Sequence, residues 1–153
     1  NACVLTRPRH DHIVKEFNKL NVKINFITDG DIAGVLSVIG KEPANDIYYS
    51  TGGGPEGVLA AAALSCFGGQ IQGRLVLDDE EKLKAKKLGI KDFKKKYNID
   101  DMVKGDVIFC ATGVTTGDLA KGVIDLGNEF EVNTFVLHKS QKIIKSVTNI
   151  YNK

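Results

Sequence analysis

The chain has 153 residues, 42% hydrophobic and 26% charged, enough for one domain with a core of its own. A formal net charge of +2 and the lack of any apolar run long enough to span a bilayer mark neither a nucleic-acid nor a membrane partner. Cys3, Cys66 and Cys110 are odd in number, far apart and each set in an apolar run; they match no zinc spacing and predict buried free thiols in a reducing, cytoplasmic compartment.

The first residue is Asn1 and an apolar run, Ala2–Thr6, follows at once, which reads as a strand in a piece of a longer chain. In His10–Leu20 the apolar residues Ile13, Val14, Phe17 and Leu20 fall at helical spacing. Val22–Thr28 alternates as a strand, Ile32–Ile39 reads as a second helix, Asp46–Ser50 as a third strand and Glu56–Phe67 as a third helix. Gln70–Leu77 is strand-like. The lysine-rich stretch 82–96, preceded by the acids 78–81, predicts a solvated helical face rather than an RNA-binding patch, because no aromatic residues interleave with the lysines in a nucleic-acid motif. Val107–Cys110 predicts a strand, Gly117–Leu126 a helix, and Phe130–His138 with Lys142–Ile150 an antiparallel pair. Alternating strands and helices predict a single α/β domain over residues 1–153, with a mainly parallel sheet flanked by helices and a C-terminal antiparallel strand pair.

In open parallel sheets ligands bind beyond the carboxyl ends of the strands. Four strand-to-helix junctions carry unusual residues: 6–10 (TRPRH), 28–31 (TDGD), 51–57 (TGGGPEG) and 111–118 (ATGVTTGD). If all their strands run parallel, the four meet on one edge. At 51–57, three bare glycines, Pro55 and Glu56 stand before an alanine-rich helix. Gly52, Gly54 and Gly57 fit the spacing of a dinucleotide loop, yet Pro55 removes an N–H that a pyrophosphate could use. An anion or metal site remains open, as does a well-capped helix with Glu56 set against its dipole. Asp29 and Asp31 flank Gly30; one of them can cap the following helix, while a pair can accept sugar hydroxyls or bind Mg²⁺. Arg7 and Arg9, held by Pro8, offer guanidinium forks that match phosphate, and His10 reads as a helix-start residue.

In this order the junctions resemble the class II fructose-1,6-bisphosphatases of the GlpX type. The matching stretches are RPRH at 7–10, DGDIAG at 29–34, GGGPEGVLAAAAL at 52–64, GGQIQGRL at 68–75 and ATGVTTGDLAKGV at 111–123. The resemblance covers the C-terminal half of such an enzyme. It implies an inositol monophosphatase-like sugar-phosphatase fold and hydrolysis of the 1-phosphate of fructose 1,6-bisphosphate with Mg²⁺ or Mn²⁺ in gluconeogenesis. It places Arg7, Pro8, Arg9, Asp29, Gly30, Asp31 and Gly53 at the substrate and Glu56 on the metal. It names no catalytic residue in this half. It implies a homo-oligomer for the full enzyme and puts the other metal ligands in an absent N-terminal half. Thr6, Asn133 and His138 depart from the family pattern. The rival readings are a non-catalytic phosphosugar-binding module, a half-enzyme needing a partner chain, and a dinucleotide-binding domain.

Overall fold

A computed structural model describes residues 1–153. Its first half follows the alternation read from the sequence. Strand β1 (Ala2–Leu5) leads through a 3-10 turn at Pro8–His10 into α1 (Asp11–Lys19); β2 (Ile24–Ile27) leads into α2 (Asp31–Leu36), and β3 (Ile47–Tyr49) into α3 (Gly54–Phe67). The three strands form a parallel sheet in the order β2-β1-β3, with Ala2 in register with Ile24 and Ile47. The central strand reads ACVL, apolar at every position, because both of its faces are covered; all four residues are buried. Successive side chains of a strand point to opposite faces. Tyr49 accordingly meets Phe17 of α1, while Tyr48 packs against the cluster around Val35 of α2 and Ala60 and Leu64 of α3. Gly34 lets α2 lie close to the sheet, since a methyl there would stand 2.5 Å from the Tyr48 ring.

Helix α3 is apolar all round because it is the middle layer. One side joins α2; the other carries Ala63 onto Phe109 and Leu137 of a second sheet. That second sheet corrects the expectation of one mainly parallel sheet. It is four-stranded and antiparallel, with β6 (Glu129–His138) at its centre. Strand β7 (Ile143–Asn152) flanks β6 on one side; β4 (Ile108–Thr112) and the two-residue β5 (Ile124–Asp125) also pair with it. The C-terminal hairpin is present as expected, but it recruits β4 as well. The apolar run at 107–110 satisfies either strand direction, and here the long β6 edge receives it.

Four further expectations differ. The segment 117–126 is no helix: Gly117 and Gly122 interrupt it, and it folds as a tight loop ending in β5. A methyl on Gly113 would lie 2.0 Å from the Lys121 carbonyl oxygen, and one on Gly122 2.6 Å from the Thr116 nitrogen, so backbone packs on backbone. Residues 70–77 alternate in burial as a strand does but find no ladder, only a bridge between Gly73 and Tyr97. The lysine-rich helix α4 (Asp79–Lys87) starts on a reciprocal cap between Asp78 and Glu81 and stops before Gly89, whose φ is +85°; a short α5 (Ile99–Met102) follows later. All three thiols are free, but only Cys3 is buried; Cys66 is half-buried and Cys110 exposed. Burial raises the thiol pKa of both Cys3 and Cys66. No helix is long and apolar enough to cross a membrane.

The chain exposes 10,479 Å², against about 7,600 Å² for a folded monomer of its 16.6 kDa. Large hydrophobic residues contribute to the exposed area. Helix α3 covers the face of the antiparallel sheet that carries Phe109 and Leu137. The opposite face, which carries Ile108, Cys110, Val132, Val136, Val147 and Tyr151 among polar residues such as Thr134, Lys145 and Asn149, is largely open, and Ile108 and Tyr151 stand 67% and 54% exposed.

Candidate functional site at the carboxyl edge of the parallel sheet

Three of the four junctions leave the same edge, because β1, β2 and β3 run parallel and end together. The fourth, 111–118, leaves β4 in the antiparallel sheet, so the expected meeting of all four on one parallel edge does not occur.

The end of β3 organises the edge. The Thr51 carbonyl accepts a hydrogen bond from Arg9 Nε at 2.5 Å, and the Thr51 N–H donates to His10 Nε2 at 2.8 Å. Tyr48 Oη and Ser50 Oγ both donate to Asp31 Oδ1, at 2.5 and 3.1 Å. Burial, and then the Asp31 carboxylate, push the Tyr48 phenol well above its ordinary pKa, so it remains a donor. Both bonds fall on Oδ1, which leaves Oδ2 turned towards Gly52, 3.7 Å from where a methyl on that glycine would stand.

Pro8 and Arg9 lie in the 3-10 turn that follows β1. Because Arg9 is anchored through Nε, its two terminal nitrogens stay available; Arg7 donates through Nη1 to the Thr6 carbonyl at 2.8 Å. Neither aspartate caps α2. Gly30 holds the cap position with φ +87°, a left-handed backbone that suits glycine, and Asp29 Oδ1 accepts the Gly30 N–H at 2.8 Å. Asp31 opens the helix and belongs to β3 through its hydrogen bonds.

Gly53 has a local reason to be glycine. A methyl there would lie 2.2 Å from Glu56 Oε2, so the carboxylate folds back over the bare α-carbon. Glu56 stands in the first turn of α3, where the helix dipole favours it. No group of three or more His, Cys, Asp or Glu residues in this chain could hold a metal ion. Glu56 offers one carboxylate, and Mg²⁺ takes six oxygens; the residues present do not make a metal site by themselves.

The sequence reading missed Tyr48, Ser50, Thr51 and the part played by His10. The hydroxyl-rich run YYST directly before three glycines was the available signal. Arg9, Asp31, Gly53 and Glu56 are tied to this edge or its first helical turn. Arg7 and Asp29 sit beside it and bond only to their immediate neighbours.

Residues 1–151 match the family described as bacterial fructose-1,6-bisphosphatase, glpX-encoded. A class 2 fructose-1,6-bisphosphatase of Haemophilus influenzae is 34% identical over 98% of this chain and 49% of its own length. A Synechococcus protein named D-fructose 1,6-bisphosphatase class 2/sedoheptulose 1,7-bisphosphatase is 32% identical over 99% of this chain and 48% of its own. Fructose-1,6-bisphosphatase 1 class 2 of Escherichia coli is 31% identical over 98% and 49%. The chain spans about half the length of these curated relatives. Since the match runs through both sheets, from residue 1 to residue 151, the chain belongs to the bacterial, glpX-encoded fructose-1,6-bisphosphatase family.

Proposed function

We propose that this chain supplies the sugar-phosphate-binding edge of an enzyme that hydrolyses the 1-phosphate of fructose 1,6-bisphosphate, giving fructose 6-phosphate and phosphate. The observation that carries the reading is the pinning of Arg9 and Asp31, a phosphate binder and a hydroxyl acceptor, to successive residues at the end of one strand. The open nitrogens of Arg9, with Arg7 beside it, form charge-assisted hydrogen bonds to the phosphate that is not cleaved. Asp31 Oδ2 and Asp29 are poor phosphate neighbours and good acceptors for sugar hydroxyls. Gly30 and Gly53 keep the adjoining backbone bare. No residue of this chain is assigned to bond breaking.

Glu56 contributes one ligand to Mg²⁺ or Mn²⁺, an ion that polarises a phosphoryl oxygen, and the remaining ligands come from outside this chain. The partner is the rest of a protein about twice this length, in an inositol monophosphatase-like arrangement, cytoplasmic, gluconeogenic and homo-oligomeric; the open sheet face with its exposed Ile108 and Tyr151 and the surplus exposed area support such a cover. The name of the Synechococcus relative extends the substrate class to sedoheptulose 1,7-bisphosphate.

The test is release of phosphate from fructose 1,6-bisphosphate by the full-length protein with Mn²⁺. Metal-dependent turnover supports the reading. Saturable binding of the sugar bisphosphate with no phosphate release overturns it in favour of a non-catalytic phosphosugar-binding module.

A further inference from the structure

We infer that His10 is a positioning residue for substrate phosphate, a buried two-ended strut that sets where Arg9 points; this rests on the sugar-phosphate reading of the edge. His10 is 1% exposed. Its Nδ1 lies 2.6 Å from the Leu5 carbonyl oxygen, and its Nε2 lies 2.8 Å from the Thr51 nitrogen. A carbonyl oxygen only accepts and a backbone N–H only donates. The proton therefore sits on Nδ1 and the lone pair on Nε2: the neighbours fix the tautomer. The opposite tautomer would put a proton on Nε2 facing the Thr51 N–H, leaving two donors opposed.

The strut spans two strand ends. Leu5 is the last residue of β1, and Thr51 lies just beyond β3, 41 residues along the chain from His10. The Thr51 peptide passes the constraint on. Its N–H is held by His10, while its carbonyl holds Arg9 Nε. Arg9, His10 and Thr51 thus close a small ring in which the guanidinium cannot swing without moving a peptide that the imidazole anchors. The Tyr49 ring stands edge-on to His10 with centroids 6.1 Å apart, which restricts rotation of the imidazole. His10 touches no position assigned to substrate, so it acts through Arg9.

The two hydrogen bonds can be separated by substitution in the full-length protein. His10→Gln keeps an acceptor near the position of Nε2; His10→Asn keeps a donor near Nδ1 and loses the acceptor. We expect His10→Asn to raise KM for fructose 1,6-bisphosphate by about tenfold with kcat within about twofold, the loss set by one half-buried donor left unpaired. His10→Gln should keep KM within about threefold of wild type, because Thr51 retains its partner. Equal KM values in wild type and His10→Asn overturn the inference, because a merely structural histidine lowers stability without moving KM. Should either variant fail to fold, nitrogen-15 spectra of the wild-type histidines decide instead: an unprotonated Nε2 on His10 supports the strut, and a protonated one overturns it. That spectrum also separates the two readings. If the wild-type protein turns over no sugar bisphosphate, the functional reading fails while the strut is still judged by its tautomer.

Discussion

The two sheets use opposite means. The parallel sheet is built from strands of three or four residues, and its value lies in where they stop: three loops arrive at one edge and are stitched together by Tyr48, Ser50, Thr51 and His10. The antiparallel sheet contains two strands of ten residues whose regular ladder keeps its polar contacts between neighbouring strands, as where Asn133 Nδ2 donates to Ser146 Oγ and Thr148 Oγ1. One face holds α3 and the other lies open. Short strands deliver loops and long strands deliver area. On the proposed reading the first sheet binds a small polar ligand and the second is covered.

The most drastic way to break this contrast is to make the bonded edge work alone. The isolated 153-residue chain should release no phosphate from fructose 1,6-bisphosphate at any Mn²⁺ concentration, because Glu56 has no fellow metal ligands here. Metal-dependent turnover by the purified fragment would show the edge to be self-sufficient.

Next in size is Arg9. In the full-length protein, Arg9→Ala should lower kcat/KM by roughly 10- to 150-fold, mainly through KM, since a contact to an uncleaved phosphate is equal in ground and transition states. Arg9→Lys should recover only part, because a lysine cannot hold the Thr51 carbonyl and offer a planar fork at once. Steady-state kinetics that leave KM within about twofold for Arg9→Ala would move the phosphate elsewhere.

A smaller effect is expected at the first turn of α3. Glu56→Ala should raise the Mn²⁺ concentration for half-maximal rate by about tenfold or more. Gly53→Ala should shift it in the same direction, since its methyl would displace the folded-back carboxylate. If Glu56 serves only the helix dipole, the metal titration stays put and stability falls by about 0.3–1 kcal/mol.

The smallest effect probes a polar knot at the β6–β7 turn of the antiparallel region. Asp106 accepts from His138 Nε2 at 2.8 Å, from Ser140 Oγ at 2.6 Å and from the Ser140 N–H at 3.0 Å, clasping the turn between β6 and β7. The Ser140 hydroxyl, and then His138, hold its carboxyl well below the usual carboxylate range. A depressed folded pKa contributes stability above the unfolded value of about 3.9 that is lost as pH falls through the folded one. Asp106→Asn should therefore lower Tm modestly at neutral pH with kinetics unchanged, and the gap from wild type should narrow below about pH 4. A gap that persists in acid would mean the loss is one of packing.

What could be read in the sequence follows the same division. The β1-α1-β2-α2-β3-α3 order was legible, since each element carries its own period and each junction its own punctuation; α3 was expected from Glu56 and begins at Gly54. The direction of β4 was not, because an apolar run of four residues has the same pattern whether its partner runs with it or against it. Glycines 113 and 122 were visible, but the backbone contact that explains them is made only after folding. His10 was legible as a residue and not as a strut, because its second partner stands 41 positions away. His138 stood out as a departure from the family pattern, and its partner Asp106 lies 32 residues earlier.

The pinning of the site to β3 has a dynamic consequence. This strand is three residues long, pairs only with β1 and forms an edge of its sheet. Local unfolding in proteins starts where few contacts must be broken, and a short edge strand is such a place. If β3 peels away, Asp31, His10 and Arg9 lose their partners together and Tyr48 leaves the Val35, Ala60 and Leu64 cluster, while Ala63 stays packed on Phe109 and Leu137, so the ligand site can melt in a protein that is still partly folded. A bound sugar phosphate stabilises the closed form by mass action. Hydrogen exchange at the Thr51 amide should then slow with ligand concentration far more than exchange within α3, making occupancy of the site readable from a single backbone proton.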